Sequence, residues 1–205
     1  MASEHATSAS VPTGNTVDKY ATTNPVERRM MEGFFGAFDE LVDRARPTRV
    51  LEVGAGEGEV SARLVRRAPD VPVTILDLPD AELQDSWRAL GLSGVAGSGD
   101  NLPHPDGAAD LVLAIEMLEH VDDPAAVLKE LARVSSAYLL VSVPREPVWR
   151  IGNMARGRYL PQLGNTPGHI QHWSRRSFVR QVAEVGEVVA VRAPLPWTMV
   201  LARVR

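Results

Sequence analysis

A doubly wound α/β domain, with a mostly parallel sheet and helices on both faces, is the fold class this 205-residue sequence predicts. Three observations predict it. Short β-like runs alternate with helical ones from residue 48 to residue 143, the pattern of parallel strands joined by helical crossovers. The stretch "VLEVGAGEG" at 50–58 is an apolar run ending in three glycines at alternate positions, as expected of a strand buried on both faces that runs into a close-turning loop. At the C-terminal end "EVVAVRA" and "WTMVLARVR" are separated only by "PLP", which is too short for a helical crossover and suits an antiparallel hairpin.

Each element has its own signal. Residues 1–17 are small and polar and read as a disordered tail, with order beginning near Tyr20 and one domain over 18–205. A helix should then start at Asn24 as N-cap, with Pro25 at its first position and Glu27 at its third. Met30, Met31, Phe34, Phe38, Leu41 and Val42 follow at helical spacing. The alternating section reads as strand 48–53, helix 57–67, strand 72–76, helix 80–90, strand 93–96, strand 110–115, helix 123–134 and strand 137–143. A helix capped by Ser174 runs to about Val185 before the final hairpin.

Composition narrows the partners. A hydrophobic content of 44% suffices for one buried core, and a net charge of −4 argues against a general nucleic-acid surface. With no cysteine, any metal must be held by His, Asp or Glu. There is no membrane-length apolar run and no secretory leader pattern, so a cytoplasmic location is expected.

Ligands of doubly wound sheets bind beyond the carboxyl ends of the strands, and the glycine loop falls there. Gly54, Gly56 and Gly58 allow the backbone to turn sharply and approach a ligand. A dinucleotide fingerprint would carry its third glycine where Glu59 stands. With Glu52, Glu57 and Glu59 crowded into the loop, a ligand bearing a positive group is favoured over a pyrophosphate.

The acidic residue followed by alternate glycines, then "TILDLPD", "GSGDNLPHPDGAADLVLAIEMLEHVDDP" and the closing strands, resembles the class I S-adenosylmethionine-dependent methyltransferases over residues 45–205. The resemblance implies a Rossmann-like seven-stranded sheet of order 3-2-1-4-5-7-6 with strand 7 antiparallel. It assigns S-adenosylmethionine to Glu52 (facing the cofactor ammonium), Gly54, Gly56, Gly58, Asp77 (on the ribose hydroxyls), Leu78, Asp100 (on the adenine amino group), Asn101 and Glu116.

For a hydroxyl acceptor the protein must also manage a proton. Candidates are His120, His169 and His172, in "EMLEH" and "GNTPGHIQHWSRRSF". The first run resembles one in ubiquinone-pathway O-methyltransferases. Small-RNA terminal 2′-O-methyltransferases combine a similar run with a later histidine four residues before a tryptophan, as His169 stands before Trp173. Two readings stay open: Glu116, Glu119, His120 and His169 hold Mg²⁺, Mn²⁺ or Zn²⁺ beside the acceptor hydroxyl, or His169 or His172 acts as base without metal. The Glu119–His120 pair also has a plain reading as a loop-shaping element.

Between them lies an insertion, 145–168, carrying Arg145, Arg150, Arg156 and Arg158 among Val148, Trp149, Ile151, Met154, Tyr159 and Leu160. A connection this long reads as functional. It is expected to form a helix with an apolar and a basic face that covers the acceptor, its arginines facing an anionic substituent or a phospholipid surface. Ubiquinone-pathway enzymes resemble this too. The expected function is O-methylation of a small or amphiphilic acceptor, with peripheral membrane contact through 145–160. C- or N-methylation and a non-catalytic cofactor-binding domain are the alternatives.

Overall fold

Asn24 opens the first helix as expected. Its side-chain oxygen accepts the backbone N–H groups of Val26 at 2.9 Å and Glu27 at 3.4 Å, and Pro25 fills the first helical position. The computed structural model describes residues 23–205; the expected tail over 1–17 and the start of order near Tyr20 lie outside them. Helix α1, Pro25–Ala45, buries Met31, Phe34, Phe38, Leu41 and Val42 along one stripe. Phe34 and Phe38 are 1% and 0% exposed, worth roughly 1.5–3 kcal/mol each.

The sheet has seven strands: β1 Val50–Val53, β2 Val73–Asp77, β3 Ser93–Ala96, β4 Ala109–Ile115, β5 Ser135–Pro144, β6 Gly186–Arg192 and β7 Trp197–Val204. Their order is 3-2-1-4-5-7-6. Strands β1 to β5 pair in parallel, whereas β7 runs antiparallel to both β5 and β6. The short hairpin connection thus does what its length requires. All four residues of β1 are buried.

Helices α2 (Glu59–Arg67) and α3 (Ala81–Ala89) join α1 over the face that carries Val50, Ile75, Leu111 and Leu113. Helices α4 (Pro124–Val134) and α6 (Arg175–Val182) cover the opposite face, against Leu51, Val53, Val112 and Val141. Helix α5, Val148–Ala155, belongs to the insertion. No helix among the described residues is long and apolar enough to cross a membrane.

Element borders move by a few residues. Ser174 does cap α6, accepting the Ser177 N–H at 3.2 Å, but the helix stops at Val182 instead of about Val185. Gly186 begins β6 with no room for a side chain, since a Cβ there would stand 2.6 Å from the Arg203 carbonyl oxygen.

Candidate active site

At the carboxyl ends of β1, β2 and β4 lies a cavity of about 600 Å³, a size that takes a small-molecule ligand. Its first wall is the glycine loop. Gly54 donates to Leu76 O at 2.8 Å, and Gly56 donates to Asp77 Oδ2 at 2.6 Å, so the end of β2 holds the loop. Gly54 has φ +74°, and a Cβ on it would lie 2.3 Å from Met117 Cγ; only glycine fits. Trp87 of α3 fixes the far side by donating its indole N–H to Gly56 O at 2.7 Å.

Glu52 is 1% exposed, and its carboxyl accepts a short hydrogen bond from the Ser61 hydroxyl of α2. Burial pushes its pKa up to about 7; the Ser61 bond opposes that, while the Asp77 carboxylate adds to it. Such a group favours an arriving cation, which would restore its charge. Asp77 also accepts the Leu78 N–H at 2.7 Å. Burial raises its pKa too, against the two backbone N–H groups it accepts. The loop carrying Asp100 is tied to α4: Glu130 accepts the Leu102 N–H at 2.9 Å, and Arg133 donates to Leu102 O and His104 O.

The second wall begins where β4 ends. Glu116 adopts φ +58°, uncommon for a side-chain-bearing residue and typical of functional sites. Its carboxylate accepts Ser142 Oγ–H at 2.9 Å from β5 and Trp197 Nε1–H at 2.6 Å from β7. Leu118–His120 then form one 3₁₀ turn. Buried Glu119 accepts the Ile170 and Gln171 N–H groups on its carbonyl at 2.9 and 3.1 Å, which brings His169 back to this turn. Ligand atoms of Glu119, His120 and His169 all lie within 4.8 Å of one another. His120 Nδ1 stands 3.0 Å from Gly168 O; a carbonyl accepts, so Nδ1 carries the proton and Nε2 the lone pair in the neutral ring.

The insertion closes this side. Trp149 stacks on His169 at 5.8 Å between ring centroids, and its indole N–H donates to Thr166 Oγ1 at 2.9 Å. Buried Asn153 donates to Gly164 O at 2.9 Å and accepts from Arg156 Nη2 at 2.8 Å. The expected single basic face is not what forms. Arg150 donates to Leu163 O and Gln162 O, whereas Arg156 and Arg158 line the cavity beside Glu27.

Of the residues expected to meet S-adenosylmethionine, Glu52, Gly54, Gly56, Asp77, Leu78, Asp100 and Glu116 line the cavity. Gly58 and Asn101 do not: Gly58 is the left-handed N-cap of α2, packed under Leu92, and Asn101 is exposed beyond the Ser98 turn. His172 is exposed and bonds Asn165 Oδ1 at 2.8 Å, outside the cavity. Three of the four expected metal ligands meet; Glu116 stands outside that set, bonded to Ser142 and Trp197. Ser61, Trp87 and Trp197 had no local signal, because each reaches its partner at the site across the fold.

A sheet of this order, with an acidic glycine loop after β1 and a carboxylate closing β2, is the Rossmann-like fold of class I methyltransferases. The chain belongs to the methyltransferase-domain family, whose model matches residues 26–190. An uncharacterized methyltransferase of Mycobacterium tuberculosis is 35% identical over 124 residues, 52% of this chain and 49% of that protein. A malonyl-[acyl-carrier protein] O-methyltransferase of Geobacter sulfurreducens is 30% identical over 122 residues, 57% of this chain and 43% of that one. The chain thus spans about half the length of the curated relatives it matches. A SAM-dependent methyltransferase from Aquifex aeolicus superposes with a TM-score of 0.66 at 17% identity, over 89% of this chain and 94% of that chain.

Proposed function

We propose that the chain transfers a methyl group from S-adenosylmethionine to an oxygen of a small or amphiphilic acceptor. The observation that carries this is the division of one cavity into two chemistries. One wall is the carboxylate-bearing glycine loop, and the other is the Glu119, His120 and His169 cluster under Trp149. The first wall fits the cofactor: buried Glu52 suits an ammonium, the side-chain-free surface at Gly54 suits close approach, and Asp77 presents acceptors for ribose hydroxyls. Bound there, S-adenosylmethionine supplies a sulfonium methyl group already activated for in-line displacement.

The chain's residues do the rest. Glu116, fixed by Ser142 and Trp197, shapes the floor between the two walls. Met30, Met31, Trp149 and Trp197 give the acceptor an apolar bed and exclude water. His169 takes the hydroxyl proton, with buried Glu119 and His120 beside it to orient the imidazole and balance its charge. The Geobacter relative is by its name an O-methyltransferase.

The same three side chains support a second reading, in which they hold Mn²⁺, Zn²⁺ or Mg²⁺ and the ion lowers the acceptor's pKa. Metal titration after chelation decides between them. Heat of binding that His169→Ala abolishes favours the ion; its absence at millimolar metal leaves His169 as the base.

The insertion is proposed as a mobile cover, with Ile151, Met154, Leu160 and Leu163 exposed on its outer side and suited to a membrane surface. Hydrogen exchange tests the cover, which should be fast over 145–168 without ligand and slowed by S-adenosylhomocysteine plus acceptor. Co-sedimentation with anionic and neutral vesicles tests the membrane contact.

A further inference from the structure

Arg156 and Arg158 are the only arginine or lysine side chains lining the cavity among the described residues. Everything else charged there is carboxylate or imidazole: besides Glu27, the carboxylates are Glu52, Asp77, Asp100, Glu116, Glu119, Asp122 and Asp123. Both guanidinium groups share one carboxylate oxygen, Glu27 Oε1 of α1, at 3.4 Å from Arg156 and 3.5 Å from Arg158. Two cations on one anion leave a net positive charge at this rim.

The two arginines differ in what holds them. Arg156 is committed: its Nε donates to Gly152 O at 3.1 Å and its Nη2 to Asn153 Oδ1 at 2.8 Å. Arg158 makes the long contact to Glu27 and keeps the rest of its planar donor fork for something else. Their side chains are 31% and 44% exposed, which places them at the mouth. Met30, Met31 and Trp149 line the same cavity with apolar surface, and Trp149 stacks on His169. A neutral acceptor would leave the cationic rim unused, and a cationic one would be repelled by it.

We propose that Arg158, beside Arg156 on Glu27, is the specificity-determining residue for an acceptor that is an anionic amphiphile: an apolar body along Met30, Met31 and Trp149, ending in a carboxylate or phosphate at the rim. This rests on the methyl-transfer reading and names its substrate class. A planar guanidinium receives either oxyanion through paired N–H donors, so the chemistry is shared between the two head groups.

The test titrates octanoate, octyl phosphate, octanol and octyltrimethylammonium into the protein by calorimetry, with and without saturating S-adenosylhomocysteine. The expected result is that the two anions bind roughly tenfold more tightly than octanol and that octyltrimethylammonium binds more weakly still. Arg158→Gln should bring octanoate down to octanol's affinity, Arg158→Lys should keep part of the preference, and Arg176→Gln, on the surface of α6, should change nothing. Glu27→Gln separates recognition from structure, because releasing the arginines should tighten octanoate binding. Equal affinity for octanol and octanoate in the unaltered chain would overturn the proposal. So would a Glu27→Gln loss as large as that of Arg158→Gln, which would make the contact a mere tie between α1 and the insertion. A chain that takes up no S-adenosylhomocysteine fails the methyl-transfer reading alone, and the amphiphile titrations on ligand-free protein still decide this one.

Discussion

Replacing Glu52 by Gln should remove a pH dependence of stability that this one buried carboxyl creates. Burial holds its pKa at about 7 in the folded protein against 4.5 as the ordinary value. Between those values the folded chain keeps a proton that the unfolded chain has lost. Stability from this group is therefore fully present below pH 4.5 and is lost as pH rises through 7. The whole shift corresponds to about 3 kcal/mol, of which about 2.5 kcal/mol falls between pH 5 and pH 8. Gln keeps an oxygen for the Ser61 hydroxyl and cannot ionise. Urea unfolding of both proteins at several pH values isolates the effect, since titrating groups other than Glu52 and its neighbour Asp77 cancel in the difference. Relative to the unaltered chain, Glu52→Gln should gain about 2.5 kcal/mol on going from pH 5 to pH 8. Parallel stability profiles would refute the claim that Glu52 is buried protonated without ligand. Cofactor binding carries the opposite sign: an ammonium needs the ionised form, so affinity in the unaltered chain should rise as pH climbs through 7.

Gly54→Ala should cost ~1–2 kcal/mol for its left-handed backbone and ~1–3 kcal/mol more for the collision with Met117, whereas Gly56→Ala, at φ +52° with open space around it, should cost only the first; urea unfolding compares them. Asp77→Ala should weaken S-adenosylhomocysteine binding by ~2–4 kcal/mol in a calorimetric titration, because the loop loses its acceptor and, on the function proposed above, so does the ribose. Asn153→Ala leaves Gly164 O and Arg156 Nη2 without their partner, and should lower stability by ~1–3 kcal/mol while speeding hydrogen exchange over 160–169.

What the sequence disclosed was whatever a local pattern encodes. The Asn24-Pro25 start, the fully buried β1 run, the alternate glycines and the short connection before Trp197 each have a physical cause within a few neighbouring residues. The partner of Glu52 lay nearby too, but Ser61 reads as an ordinary helical serine until α2 folds back over β1. Trp87 on Gly56 O and Trp197 on Glu116 span 31 and 81 residues, and no periodicity announces them. Gly58 shows the converse: it completes a motif by spacing, yet its role is to turn the chain and make way for Leu92. The arginines of the insertion read as one basic face because helical projection ignores carbonyls. Arg150 is spent on the Leu163 and Gln162 carbonyls, and Arg156 and Arg158 turn toward Glu27 instead.

We expect the glycine loop and its carboxylates to receive a cationic sulfonium nucleoside and to refuse a pyrophosphate. Calorimetric titration of the full chain with S-adenosylmethionine and, separately, with NAD measures it most directly. Saturable one-to-one binding of S-adenosylmethionine, lost in Asp77→Ala, with no heat from NAD, is the expected outcome. Saturable NAD binding with no response to S-adenosylmethionine would contradict it.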